Sequence, residues 1–112
     1  MKYLVKLLML MLTTSISGIA YGQVDIKFDT PYGDNQAIGK YAEINGAKIY
    51  YEEYGEGEPL LLIHGNGGSI KSMENQIDYF KTKYRVIIAD NRGQGKSELK
   101  TDSLTYTQIT KD

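Results

Sequence analysis

The sequence predicts an α/β fold with a small, partly parallel sheet, and three observations support this. Residues 60–63 and 85–89 are short apolar runs of the kind that form buried strands. Residues 72–84 lie between them and have apolar side chains at helical spacing. Residues 40–54 contain an antiparallel hairpin pattern. A strand, a helix and a second strand form a βαβ unit, which pairs its strands in parallel.

The composition limits both the size of the domain and its partners. The chain has 112 residues, 13 Lys plus Arg against 14 Asp plus Glu, and 41% hydrophobic residues. This length allows one small domain at most. The formal net charge of −1 gives no electrostatic reason to expect nucleic acid as a partner, because phosphate binding needs a basic face. With no Cys and a single His, we expect no disulfide framework and no metal site.

Residues 1–22 have the order of a secretory signal peptide. Lys2 and Lys6 precede the apolar run 7–12, and small residues at Ala20 and Gly22 suit cleavage before Gln23. The alternative is an uncleaved membrane anchor, but the run is far shorter than the ~20 residues that cross a bilayer. We therefore expect an exported protein, periplasmic or secreted, with no stable membrane span after cleavage. Removal of residues 1–22, which contain two lysines and no acid, leaves a net charge of about −3.

The remaining chain divides into an irregular lead-in, residues 23–39, and a folded part, residues 40–112. Asn45 and Gly46 tolerate the positive φ of a hairpin turn, so they predict an antiparallel pair of strands at 40–44 and 47–54. The unbroken apolar run 60–63 predicts a strand covered on both faces.

The helix between the apolar strands and a second helix complete the predicted elements. Met73, Ile77 and Phe80 form one face of a helix over 72–84, for which Ser72 is the predicted N-cap. Residues 105–112 have the pattern of the opening of a second helix.

Two glycine-rich loops, 64–69 and 90–97, follow the two apolar strands, at the sheet edge where open α/β sheets bind ligands. Gly95, Lys96 and Ser97 mimic the end of a phosphate-binding loop, but Asp90 occupies the position that needs glycine. A dinucleotide fingerprint fails as well, because Ile70 and Glu98 stand where its third glycine is required. We therefore expect no cofactor.

The remaining chemistry for such a turn is an oxyanion hole, in which backbone N–H groups hold the negative charge of a carbonyl oxygen. Loop 64–69 reads HGNGGS and loop 90–97 reads DNRGQGKS. With the hairpin, the strands and the helix around them, these motifs resemble the N-terminal part of the α/β-hydrolase fold family, from about residue 41 to residue 112.

The resemblance implies a role for each loop position. The residue after the His-Gly pair gives one oxyanion-hole N–H in that family, which corresponds to Asn66. Four neighbours would support this loop: His64, Gly65, Gly67 and Gly68. Five residues of the second loop match a structural motif: Asp90, Arg92, Gly93, Gly95 and Ser97. We interpret His64 as a hydrogen-bonded core histidine, and Asp90 with Arg92 as an ion pair that braces the turn.

The nucleophile implied by the resemblance is missing from these residues. The family's serine lies in a Gly-x-Ser-x-Gly elbow, followed along the chain by an acid and a histidine. No serine here has that spacing, and the one histidine precedes all four serines beyond residue 22: Ser69, Ser72, Ser97 and Ser103. We therefore expect an N-terminal fragment of a longer hydrolase, inactive by itself, in which strand 60–63 keeps one unpaired edge.

The sequence thus predicts the oxyanion-loop part of an exported serine hydrolase that acts on a small-molecule carboxylic ester or a related acyl bond. The alternative is a small exported binding domain that uses the glycine-rich loops as a ligand cradle without catalysis. The substrate itself stays open at this point.

Overall fold

A computed structural model describes residues 24–112, so the predicted signal peptide lies outside the described residues. The elements are β1 (Lys40–Ile44), β2 (Ala47–Tyr54), β3 (Pro59–Leu62), α1 (Glu74–Phe80), β4 (Arg85–Ala89) and α2 (Tyr106–Ile109). The four strands form one mixed sheet in the order β1-β2-β4-β3. This partial α/β sheet confirms the predicted fold class.

The hairpin β1–β2 forms as predicted. Asn45 and Gly46 have φ values of 46° and 80°, so both central positions of the turn use the left-handed region. The two strands pair antiparallel, with Ile44 opposite Ala47. Strand β2 continues the sheet by pairing antiparallel with β4.

Strand β3 pairs with β4 in parallel, which confirms the predicted βαβ arrangement. The prediction that this strand is covered on both faces is wrong. Leu61 and Ile63 are 62% and 68% exposed, whereas Leu62 packs against the core. The reason is that an unbroken apolar run is buried on both faces only where both have packing partners, and among residues 24–112 only one face of β3 packs against the core.

The helix between the strands is shorter than predicted and begins differently. A 3₁₀ turn, Ile70–Met73, precedes α1 and follows Ser69, so the predicted N-cap at Ser72 is wrong. The N–H of Ile70 donates to the carboxylate of Asp90, 2.7 Å away. A carboxylate 20 residues along the chain thus binds the first N–H of this turn. Ile77 is buried in the core, as its spacing predicts.

The lead-in contains turns but no helix or strand over residues 24–39, and it is bonded to the sheet by Glu52. This carboxylate is fully buried and accepts the N–H groups of Gly33 and Asn35 at 2.9 and 3.0 Å. It also accepts the hydroxyls of Tyr50 and Tyr54 at 2.7 and 2.8 Å. Burial is the main cause that raises the pKa of both tyrosines, and the hydrogen bond to Glu52 raises it further. Both hydroxyls therefore stay neutral donors.

The second helix is also present. The N–H of Gln108 donates to the hydroxyl of Thr105, which caps α2. Over residues 24–112, no helix combines the length and hydropathy that a membrane-spanning segment needs.

Candidate active site

The two glycine-rich loops leave adjacent parallel strands, β3 and β4, and His64 joins them. Its ring is buried, and its Nε2 accepts the N–H of Asn91 at 3.0 Å. Its Nδ1 lies 2.8 Å from the carbonyl oxygen of Gly65, so Nδ1 carries the proton. Because backbone groups occupy both ring nitrogens, His64 orients the loops and has no nitrogen left to act as a base.

The loop after β3 is also bonded to the second loop through Gln94. The Gln94 side chain accepts the N–H of Gly67 at 2.9 Å and donates to Oδ1 of Asn66 at 3.0 Å. We call this pair of hydrogen bonds the Gln94 bridge. Gln94 was not among the predicted site residues. The only feature of the sequence that could have indicated it is its place between Gly93 and Gly95.

Within the loop itself, the backbone donors of Gly67, Gly68 and Ser69 are engaged. The N–H of Gly68 donates to the Gly65 carbonyl at 3.0 Å, and that of Ser69 donates to the Ser72 hydroxyl at 3.3 Å. The N–H of Asn66 has no acceptor within hydrogen-bond distance among residues 24–112. Asn66 is exposed, so this donor is available to a ligand.

An apolar groove lies beside Asn66. It is lined by α2 and the two residues before it: Leu104, Thr105, Tyr106 and Ile109. An open N–H donor next to apolar side chains suits a ligand with a carbonyl oxygen and an apolar chain.

The glycines of the loop after β3 leave room above the backbone. A Cβ placed on Gly65 or Gly67 would meet nothing within 4 Å. A Cβ on Gly68 would lie 2.9 Å from the Ser72 hydroxyl and 3.0 Å from the Gly65 carbonyl. A side chain at Gly68 would therefore press on its neighbours, whereas the space at Gly65 and Gly67 is open to a ligand.

Asp90 is a structural carboxylate. Its Oδ1 accepts the N–H of Ile70 at 2.7 Å, and its Oδ2 accepts the N–H of Lys96 at 2.8 Å. Gly95 must be glycine because a Cβ there would lie 2.1 Å from Asp90 Oδ2, at a φ of +52°. Asp90 therefore fixes the turns of both loops.

The predicted ion pair between Asp90 and Arg92 is wrong. Arg92 is buried and pairs with Asp112, with Nε 2.6 Å from Oδ2 and a second nitrogen 2.8 Å from Oδ1. It also donates to the carbonyls of Ile44 and Leu99 at 3.0 and 3.1 Å. The reason for the difference is that backbone donors already occupy both oxygens of Asp90, which leaves Arg92 to join the hairpin turn to the end of α2.

The Arg92 guanidinium lowers the pKa of Asp112 to about 2, so this carboxylate stays ionised.

Ser97 is buried as well. Its hydroxyl accepts the N–H of Tyr50 at 2.9 Å and donates to the carbonyl of Asp90 at 2.6 Å. Ser97 is thus bonded within the scaffold and is no nucleophile.

Metal-binding groups are not clustered in the described part of the chain. Among residues 24–112, no three His, Asp or Glu side chains lie close enough together to hold an ion. Separately, the loop after β3 offers backbone N–H donation from Asn66.

Comparison with known proteins identifies the family. Residues 58–110 match the family model described as alpha/beta hydrolase fold. An epoxide hydrolase structure from Vigna radiata superposes with a TM-score of 0.61 at 31% identity, covering 66% of this chain and 25% of that one. The chain belongs to the α/β-hydrolase fold family.

Two curated relatives of this chain are hydrolases that act on different substrates. The (E)-2-((N-methylformamido)methylene)succinate hydrolase of Acinetobacter baylyi is 47% identical over 53 residues, which are 47% of this chain and 20% of that protein. A pimeloyl-[acyl-carrier protein] methyl ester esterase of Legionella pneumophila is 40% identical over 47 residues, 42% of this chain and 20% of that protein. The chain spans about a fifth of the length of these two relatives.

Proposed function

We propose that this chain contributes the oxyanion-hole loop of a serine hydrolase that cleaves carboxylic esters or related acyl bonds. The observation that carries the proposal is the N–H of Asn66, which has no acceptor among residues 24–112. His64 and the Gln94 bridge hold the loop on either side of it. A donor held by its surroundings before the reaction stabilises charge that develops on the carbonyl oxygen, with little reorganisation. The Legionella pneumophila relative, a methyl ester esterase, supports the ester class.

In this proposal the serine, acid and base come from residues other than these 112, because none of their serines lies in a Gly-x-Ser-x-Gly sequence. The DNA that follows the codon of Asp112 tests this directly. We expect a reading frame that encodes a strand, a Gly-x-Ser-x-Gly elbow and a late histidine. A stop codon followed by unrelated sequence would contradict the proposal and favour a binding domain.

The purified 112-residue chain gives a second test. With p-nitrophenyl butyrate we expect no hydrolysis above the rate in buffer, because His64 and Ser97 are both bonded within the scaffold. Turnover that a serine-directed inhibitor abolishes would show that the chain holds a complete active site and overturn this part of the proposal.

We also propose export through residues 1–22. Expression in a bacterial host should give a periplasmic or secreted product whose mass corresponds to a chain that begins at Gln23. A cytoplasmic product that retains Met1–Gly22 would contradict export.

A further inference from the structure

We propose that Gln94 is a positioning residue that orients Asn66, so that Asn66 presents two donors to a ligand oxygen. These donors are its backbone N–H and its side-chain Nδ2. The inference rests on the proposed function of the Asn66 N–H and adds the residue that orients it.

The orientation follows from the hydrogen-bond network. The N–H of Gly67 can only donate, so the oxygen of the Gln94 amide must face it, at 2.9 Å. The Gln94 nitrogen then faces Oδ1 of Asn66, at 3.0 Å. With Oδ1 occupied, Nδ2 is the part of the Asn66 amide that has no partner among residues 24–112.

The backbone of Gln94 is held by hydrogen bonds within its own loop, and this fixes the position from which its side chain forms the Gln94 bridge. The N–H of Gln94 donates to the Asn91 carbonyl at 2.9 Å, and its carbonyl accepts the N–H of Ser97 at 3.0 Å. Gly93 and Gly95 on either side have φ values of 71° and 52°. The side-chain bonds of Gln94, in contrast, go to the loop after β3 and not to the core.

These contacts indicate the ligand class. Two N–H donors on Asn66 next to the apolar groove suit an acyl group, with an oxygen held by the donors and an alkyl chain in the groove. A short carboxylate such as butyrate carries both features and serves as the probe.

The test is a ¹H–¹⁵N NMR titration of the full chain with butyrate, in the wild type and in Gln94→Met. Methionine keeps the length of the side chain but forms neither bond of the bridge. The matched control is Gln76→Met, at an exposed position of α1. Gln94→Ala is the second variant, and unchanged amide signals of β2 and β4 show that each variant is folded.

We expect butyrate to shift the backbone and side-chain amide signals of Asn66 in the wild type and in Gln76→Met. In Gln94→Met and Gln94→Ala we expect binding to weaken about tenfold, because one oriented hydrogen bond to a charged group is lost. Without butyrate, both Gln94 variants should already move the side-chain amide signals of Asn66.

The two proposals fail in different ways. Side-chain amide signals of Asn66 that stay in place in both Gln94 variants, or unweakened butyrate binding, would overturn the positioning role. A wild type that binds no butyrate, while the Gln94 variants do move the Asn66 signals, would instead overturn the proposed function of Asn66.

Discussion

The two glycine-rich loops of this sheet differ in how their polar groups and glycines are used. In the loop after β4, the side chains of Asp90, Arg92 and Ser97 are buried and bonded. In the loop after β3, the Asn66 N–H is unbonded within the described residues, and two glycines face open space. One loop is a bonded support, and the other leaves an N–H donor open, which we propose binds a ligand.

This difference predicts that glycine substitutions will have unequal costs in the two loops. Gly95→Ala brings a Cβ against the Asp90 carboxylate at a positive φ, so we expect a loss of about 3 kcal/mol in the free energy of unfolding. Gly67→Ala, which also has a positive φ but open space, should lose only about 1 kcal/mol. Urea denaturation measures both, and equal losses would contradict the contrast.

The next largest effect is expected at the Asp90 carboxylate. Asp90→Asn replaces one acceptor by an NH₂ group that faces the N–H of Ile70 or of Lys96. We expect a loss of about 2 kcal/mol in the free energy of unfolding, because a buried donor is left without an acceptor. Asp102→Asn, at an exposed position, is the matched control and should change stability by less than about 0.5 kcal/mol. If the two variants were equally stable, Asp90 would not be the support described above.

The smallest predicted effect is the pH dependence of the Arg92–Asp112 pair. The pKa of Asp112 is lowered to about 2 in the folded chain, below its value of about 3.9 when unfolded. Its contribution to stability is therefore complete above about pH 4 and is lost as the pH falls towards about 2. Over this interval, we expect the free energy of unfolding of the wild type to fall by on the order of 1–2 kcal/mol more than that of Asp112→Asn. Urea denaturation at each pH measures both. Parallel pH profiles would show that the pair does not stabilise the fold.

The parts of the structure that the sequence predicted are those with a local cause. Asn45 and Gly46 determine the turn of their own hairpin, and the apolar residues 85–89 form β4 where expected. The contacts that could not be predicted join distant residues. The bond from Ile70 to Asp90 spans 20 residues, and nothing near Ser72 indicates that another carboxylate binds the start of that helix.

The same limit applies to the candidate site. The glycine pattern predicted a turn with open N–H groups around Asn66, and the Asn66 N–H has no acceptor over residues 24–112. The Gln94 bridge and the pairing of Arg92 with Asp112 depend on how the loops and α2 meet in space. Glu52 was missed because a glutamate in an alternating strand looks solvent-exposed, whereas four donors from the lead-in and β2 allow its burial.

Amide hydrogen exchange tests the contrast between the loops most directly. At neutral pH, the N–H of Asn66 should exchange at nearly the rate of an unstructured chain, because no acceptor lies within reach in the described part of the chain. The N–H groups of Ile70 and Lys96, which donate to Asp90, should exchange at least about tenfold more slowly than Asn66. Protection of Asn66 equal to that of Lys96 would show that its donor is already bonded, and would contradict its assignment as the group that holds the substrate oxygen.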